Sequence, residues 1–166
     1  MQRKLCKKNA KLIDIMSRAA KLAIEECQHQ FKFKRWNCTI FNRTNIYGGL
    51  TQTRSKETAF IYSIYSAAAM YEVTKACSRG ELKKCNCNNQ VRQVGSISNT
   101  NDIRHYQFGG CSDNVLFGYK LSKHFVDSNE NAKNSKSIQE NDEDAYLNQE
   151  HQLMNLHNNE VGRRVS

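Results

Sequence analysis

Seven cysteines, at positions 6, 27, 38, 77, 85, 87 and 111, constrain this 166-residue chain more than any other feature. Such a density implies sulfurs bound to a metal in a reducing compartment, or to one another in an oxidising one. Zinc sites of the finger and ribbon kinds bring ligands in pairs two to four residues apart. Only Cys85 and Cys87 stand close, and one intervening residue is tight for two ligands of one ion. The spacings Cys27 to Cys38, Cys77 to Cys85 and Cys87 to Cys111 look like successive closed loops, each joining a helix end to the loop after it. Spacing alone does not select among the 15 pairings open to six cysteines. Two acceptor sequons, at Asn37 and Asn42, favour the secretory route.

Apolar residues recur at Leu12, Met16, Ala19/Ala20, Ala23 and Cys27, opposite Lys7, Lys8, Lys11, Arg18 and Lys21. That is the stripe of an amphipathic helix fading near Phe33–Trp36. Ser55 or Thr53 can cap a second helix with Glu57 in its first turn, and Gly80 suits the position after its end. This helix is apolar on most sides and is expected to be buried. Residues 85–110 read as an irregular loop. Ser112 or Asp113 can cap a third helix bearing Phe117, Leu121 and Phe125. A fourth helix from about Tyr146 places Leu153, His157, Val161 and Val165 on one face. With little strand alternation, the expected fold is mainly α: a disulfide-stapled helical bundle with long irregular loops. Its expected divisions are a helical domain over 1–126, a polar, disordered insert over 127–145, and a helix over 146–166 belonging to the same domain.

Net charge is +9, distributed as +12 over residues 1–92, +1 over 93–125 and −4 over 126–166. The cationic front half should attract polyanions, whether nucleic acid, sulfated glycans or anionic lipid heads. The longest apolar stretch, Ala67–Tyr71, is far short of the ~20 residues that cross a bilayer. Met1 and the charges behind it offer no apolar h-region, so the chain reads as intracellular or as a piece of a longer precursor. The odd cysteine count favours the precursor.

Trp36 beside Cys38 reads as a core or cystine-packing residue. His157 and Glu160, three apart on a helix, superficially resemble a metal pair; a hydrogen-bonded structural cluster with Asn158 and Asn159 is the plainer account. Lys32, Lys34 and Arg35 alternate with Phe31, Phe33 and Trp36 as a solvated basic edge over aromatic packing. No phosphate loop, nucleophile elbow or catalytic carboxylate pair can be placed. A zinc-dependent nucleic-acid module and a thiol enzyme are the competing readings, and both need reduced thiols.

Six blocks in order then carry a resemblance. Glu26-Cys27-Gln28-His29-Gln30-Phe31 with Lys34-Arg35-Trp36-Asn37-Cys38 resembles the "ECQ-QF…RRWNC" signature of secreted Wnt signalling proteins. Lys56–Phe60 resembles their "RE-AF" helix start, and Ala76–Leu82 with Cys85 and Cys87 their "AC--GEL--C-C". Gly109–Asn114 resembles "WGGCSDN", Phe125–Asp127 "FVD", and Met154–Arg163 "MNLHNNEAGR". The resemblance implies a saposin-like helical domain with pairs Cys27–Cys38, Cys77–Cys85 and Cys87–Cys111, and Cys6 joined to a cysteine upstream of Met1. It implies a secreted ligand of the extracellular space and matrix, active in development and cell-fate control. The implied partners are Frizzled receptors, low-density-lipoprotein-receptor-related co-receptors and heparan sulfate proteoglycans, with no nucleic acid. It implies no enzyme activity, no metal and no cofactor. The palmitoleoylated hairpin of the family lies beyond Ser166, so no serine here takes the acyl group, and the chain is expected to be inactive alone. Two departures stand out: Tyr106-Gln107-Phe108 replaces the usual Trp-x-Trp, and the segment after Asp127 is long and polar.

Overall fold

The computed structural model describes residues 2–38, 55–85, 112–137 and 143–166. The described chain is helical: α1 (Gln2–Lys8), α2 (Lys11–Phe31), α3 (Lys56–Ser78), α4 (Val115–Ser137) and α5 (Glu143–Val165). It is a disulfide-stabilised helical bundle, as the patterning leads one to expect.

The stripe on α2 lands inward. Leu12, Ile15, Met16, Ala19, Ala20, Ala23 and Cys27 are all buried. Leu12, Ile15, Met16, Ala19 and Ala23 among them share one core with Ala68, Ala69, Val73, Ala76 and Cys77 of α3, which Phe125 and Val126 of α4 close. Helix α3 is central, packing against α2, α4 and α5, which is why its sequence is apolar on most sides. Its small residues let the neighbours approach. A Cβ built on Gly162 of α5 would run into the backbone carbonyl of Ser63, so only glycine fits that crossing.

The ends of α3 follow local rules. Ser55 Oγ accepts the Thr58 amide at 3.2 Å, with Glu57 in the first turn. At the other end Gly80, at φ 69°, donates to Cys77 O (3.0 Å) while Glu81 donates to Ala76 O (2.9 Å). This is a Schellman closure, and it turns the chain back so that Cys85 reaches Cys77.

Three expectations need correction. Residues 127–137 are not a disordered insert, because α4 continues through them to Ser137. Asp127, Ser128 and Glu130 are buried there, and protein groups bond to each of them. The fourth helix also starts earlier, at Glu143. The cap of α4 is Asn114, whose Oδ1 accepts the Phe117 amide at 3.1 Å, while Asp113 turns aside to Ser78 and to Lys75 (3.4 Å). The Ser78 hydroxyl, with Lys75 behind it, holds the Asp113 carboxyl below its ordinary range.

Candidate functional site

Two places concentrate chemistry: the interface of α5 with α3 and α4, and the stapled turn that ends α2.

On α5, Gln152, Asn155, Asn159 and Arg163 succeed one another at helical spacing and all face inward. Arg163 grips Asp127 of α4 with both Nη atoms, at 3.1 and 2.9 Å. Its Nη1 also donates to Ser66 Oγ of α3 at 2.8 Å, and its Nη2 to Glu160 at 3.2 Å. Asn159 adds a third donor to Asp127 at 3.0 Å. One turn back, Asn155 (3.2 Å) and Tyr62 of α3 (3.4 Å) donate to Glu130. Burial, and then the Glu130 charge, pushes the Tyr62 phenol well above its usual range, so it stays a donor. A bidentate guanidinium–carboxylate pair at this depth is strong only because its remaining atoms are largely bonded.

At the rim, Tyr119 of α4 donates to both carboxylate oxygens of Glu160, at 2.7 and 2.8 Å. Arg164 Nε (3.0 Å) and Lys123 Nζ (3.6 Å) converge on the same group. The Tyr119 hydroxyl first, then the two arginines and Lys123, draw the Glu160 carboxyl down to about 2. Beyond the rim, Lys120, Lys123, His124, Asp127, Ser128 and Asn131 line an open cleft of about 400 Å³.

Of the cluster expected from the sequence, the structure brings in Asn159 and Glu160, and Asn158 through its carbonyl, which accepts from Ser63 at 2.9 Å. His157 is exposed on the opposite face of α5 and does not join Glu160. No group of three or more His, Cys, Asp or Glu suited to a metal occurs among the described residues. Sequence reasoning misses Arg163, Asp127, Glu130 and Asn155 as site residues. The available signal is the repeated polar residue at every turn of α5.

At the end of α2, Cys27 is bonded to Cys38, with Cα atoms 6.0 Å apart, and Cys77 to Cys85 at 5.3 Å. Cys6 is unpaired and half-buried. Trp36 packs edge-on against Phe31 at 5.1 Å, and Phe31 against Phe60 of α3 at 4.8 Å. Asn37 is half-buried next to that disulfide. Asn42, Cys87, Cys111 and Tyr106–Phe108 lie outside the described residues.

The structure thus defines a cystine-stapled helical domain whose buried polar groups clamp helices together, a build suited to oxidising surroundings. The wnt family model matches residues 1–166. Protein Wnt-5b of Mus musculus is 40% identical over 166 residues, covering 99% of this chain and 42% of that protein. Protein wingless of Drosophila melanogaster is 38% identical over 173 residues, covering 98% and 33%. Among solved structures, a chain of human WLS in complex with WNT8A aligns with a TM-score of 0.55 at 35% identity, covering 91% of this chain and 43% of that one. The chain belongs to the Wnt family. It spans about two fifths of Wnt-5b and a third of wingless.

Proposed function

We propose that this chain is the helical N-terminal part of a secreted Wnt ligand that acts through Frizzled receptors in developmental signalling. The observation that carries the reading is the match of the family model across all 166 residues. Low-density-lipoprotein-receptor-related co-receptors and heparan sulfate proteoglycans complete the proposed partners, and the excess of cations over residues 1–92 suits the glycan. A carrier contact of the kind between human WLS and WNT8A belongs to the same reading. The proposal includes a Cys87–Cys111 bridge, a partner for Cys6 upstream, glycosylation at Asn42 and Asn37, secretion to the extracellular matrix, and no catalysis. Acylation falls on the family's hairpin, outside these 166 residues, so the chain by itself does not activate the receptor.

A chimera tests this. Residues 1–166 are grafted in place of the matching segment of mouse Wnt-5b and expressed in eukaryotic cells beside residues 1–166 alone. The expected result is secretion of the chimera with Frizzled-dependent reporter activity, and silence from the short chain. A chimera that is secreted and folded but inactive, or full activation by residues 1–166, overturns the reading.

A further inference from the structure

The turn after α2 has a composition the polar clamp does not explain. No residue from Cys27 to Lys56 is acidic. Within the described part, Lys32, Lys34 and Arg35 are all exposed, and none of them pairs with a carboxylate among the described residues. Between them stands Phe33, 88% exposed, the most exposed large apolar residue described. Nothing local drives a phenylalanine into water, since it forgoes the burial its neighbours Phe31 and Trp36 obtain.

The turn is also braced at its base. The Cys27–Cys38 bridge closes the loop at its base, Lys34 N donates to Phe31 O at 2.9 Å, and Phe31 is wedged between Trp36 and Phe60. Lys32 Nζ lies 4.6 Å from the Phe33 ring centroid, which keeps cation and ring on the same side.

We propose that the Lys32–Arg35 turn is an interfacial anchor for an anionic bilayer surface, with Phe33 entering the headgroup–acyl boundary and Lys32, Lys34 and Arg35 meeting lipid phosphates and carboxylates. A sulfated glycan would engage the three cations and leave Phe33 in water. A lipid interface accepts both kinds of group, which is the pairing found on the membrane-facing side of peripheral proteins. This anchor is independent of the receptor reading above.

The test uses the oxidised chain of residues 1–166, sedimented with phosphatidylcholine vesicles with and without phosphatidylserine and, separately, retained on heparin resin. The parent chain should partition onto the phosphatidylserine vesicles. Phe33→Ser should weaken that partition about tenfold and leave heparin retention unchanged. Replacing Lys32, Lys34 or Arg35 singly with Ser should cost about fivefold each on vesicles. Phe33 is too exposed for its loss to unfold the chain, and far-UV circular dichroism of the variant verifies that. Vesicle binding by Phe33→Ser equal to the parent's overturns the proposal, as does no vesicle binding by the parent. A parallel loss of heparin retention by Phe33→Ser also overturns it and makes the turn a glycan site.

Discussion

Arg163 bonds to three polar groups at once: the Asp127 carboxylate on α4, the Ser66 hydroxyl on α3 and Glu160 on its own helix. Its side chain has no exposed surface, and that of Asp127 is 7% exposed. Removing only the cation leaves a carboxylate buried and short of donors. Arg163→Met should therefore destabilise by about 3–5 kcal/mol in urea unfolding, whereas Arg163→Met with Asp127→Leu should recover much of that loss. Glu160 gives a pH prediction. Its carboxyl is drawn from an ordinary 4.5 to about 2 in the folded chain. A depressed folded value means the contribution is complete above about 4.5 and disappears as pH falls through about 2. Thermal melts across that window should fall steeply for the parent, and Glu160→Gln should flatten the slope.

Helix α5 shows where local pattern misleads. Its apolar positions Leu153, Val161 and Val165 are 53%, 40% and 79% exposed, while Asn155, Asn159 and Arg163 are buried. The usual rule, apolar side inward, selects the wrong face because the interior opposite α5 is itself polar. Leu153→Gln should thus change stability by no more than about 0.5 kcal/mol. Asn159→Ala, which strips a donor from buried Asp127, should cost about 1–3 kcal/mol. Urea titration of the pair decides it. By contrast α2 and the ends of α3 are legible residue by residue, because an apolar stripe, a Ser55 cap and Gly80 act through neighbours a turn away. The stretch 127–137 is not. Its Asp, Ser and Glu look like a solvated tail by composition, and their partners Asn155, Asn159 and Arg163 lie 25 to 36 residues further along.

At the scale of the molecule, the two described bridges stand toward opposite ends of α3: Phe31, beside the first, packs on Phe60 near its start, and the second closes its end. The two described bridges tie each long inner helix, α2 and α3, to the segment that leaves it. Arg18 joins α2 to α3 and its C-terminal turn from outside, reaching Glu72 at 2.9 Å and Glu81 at 2.7 Å. Cys27→Ser with Cys38→Ser should lower stability by about 3 kcal/mol on the loop-entropy argument, read by urea unfolding. Peptide mapping of the secreted chain should recover Cys27 linked to Cys38 and Cys77 to Cys85.

The ladder on α5 has a consequence for chain length. Asn155, Asn159 and Arg163 meet partners on two other helices only while they keep their phase. One added or deleted residue between Asn155 and Arg163 would swing everything beyond it by about 100° around the helix axis, delivering Gly162 or Arg164 to the place opposite Asp127. Length variation is therefore forbidden within that span, however freely the rest of the sequence drifts.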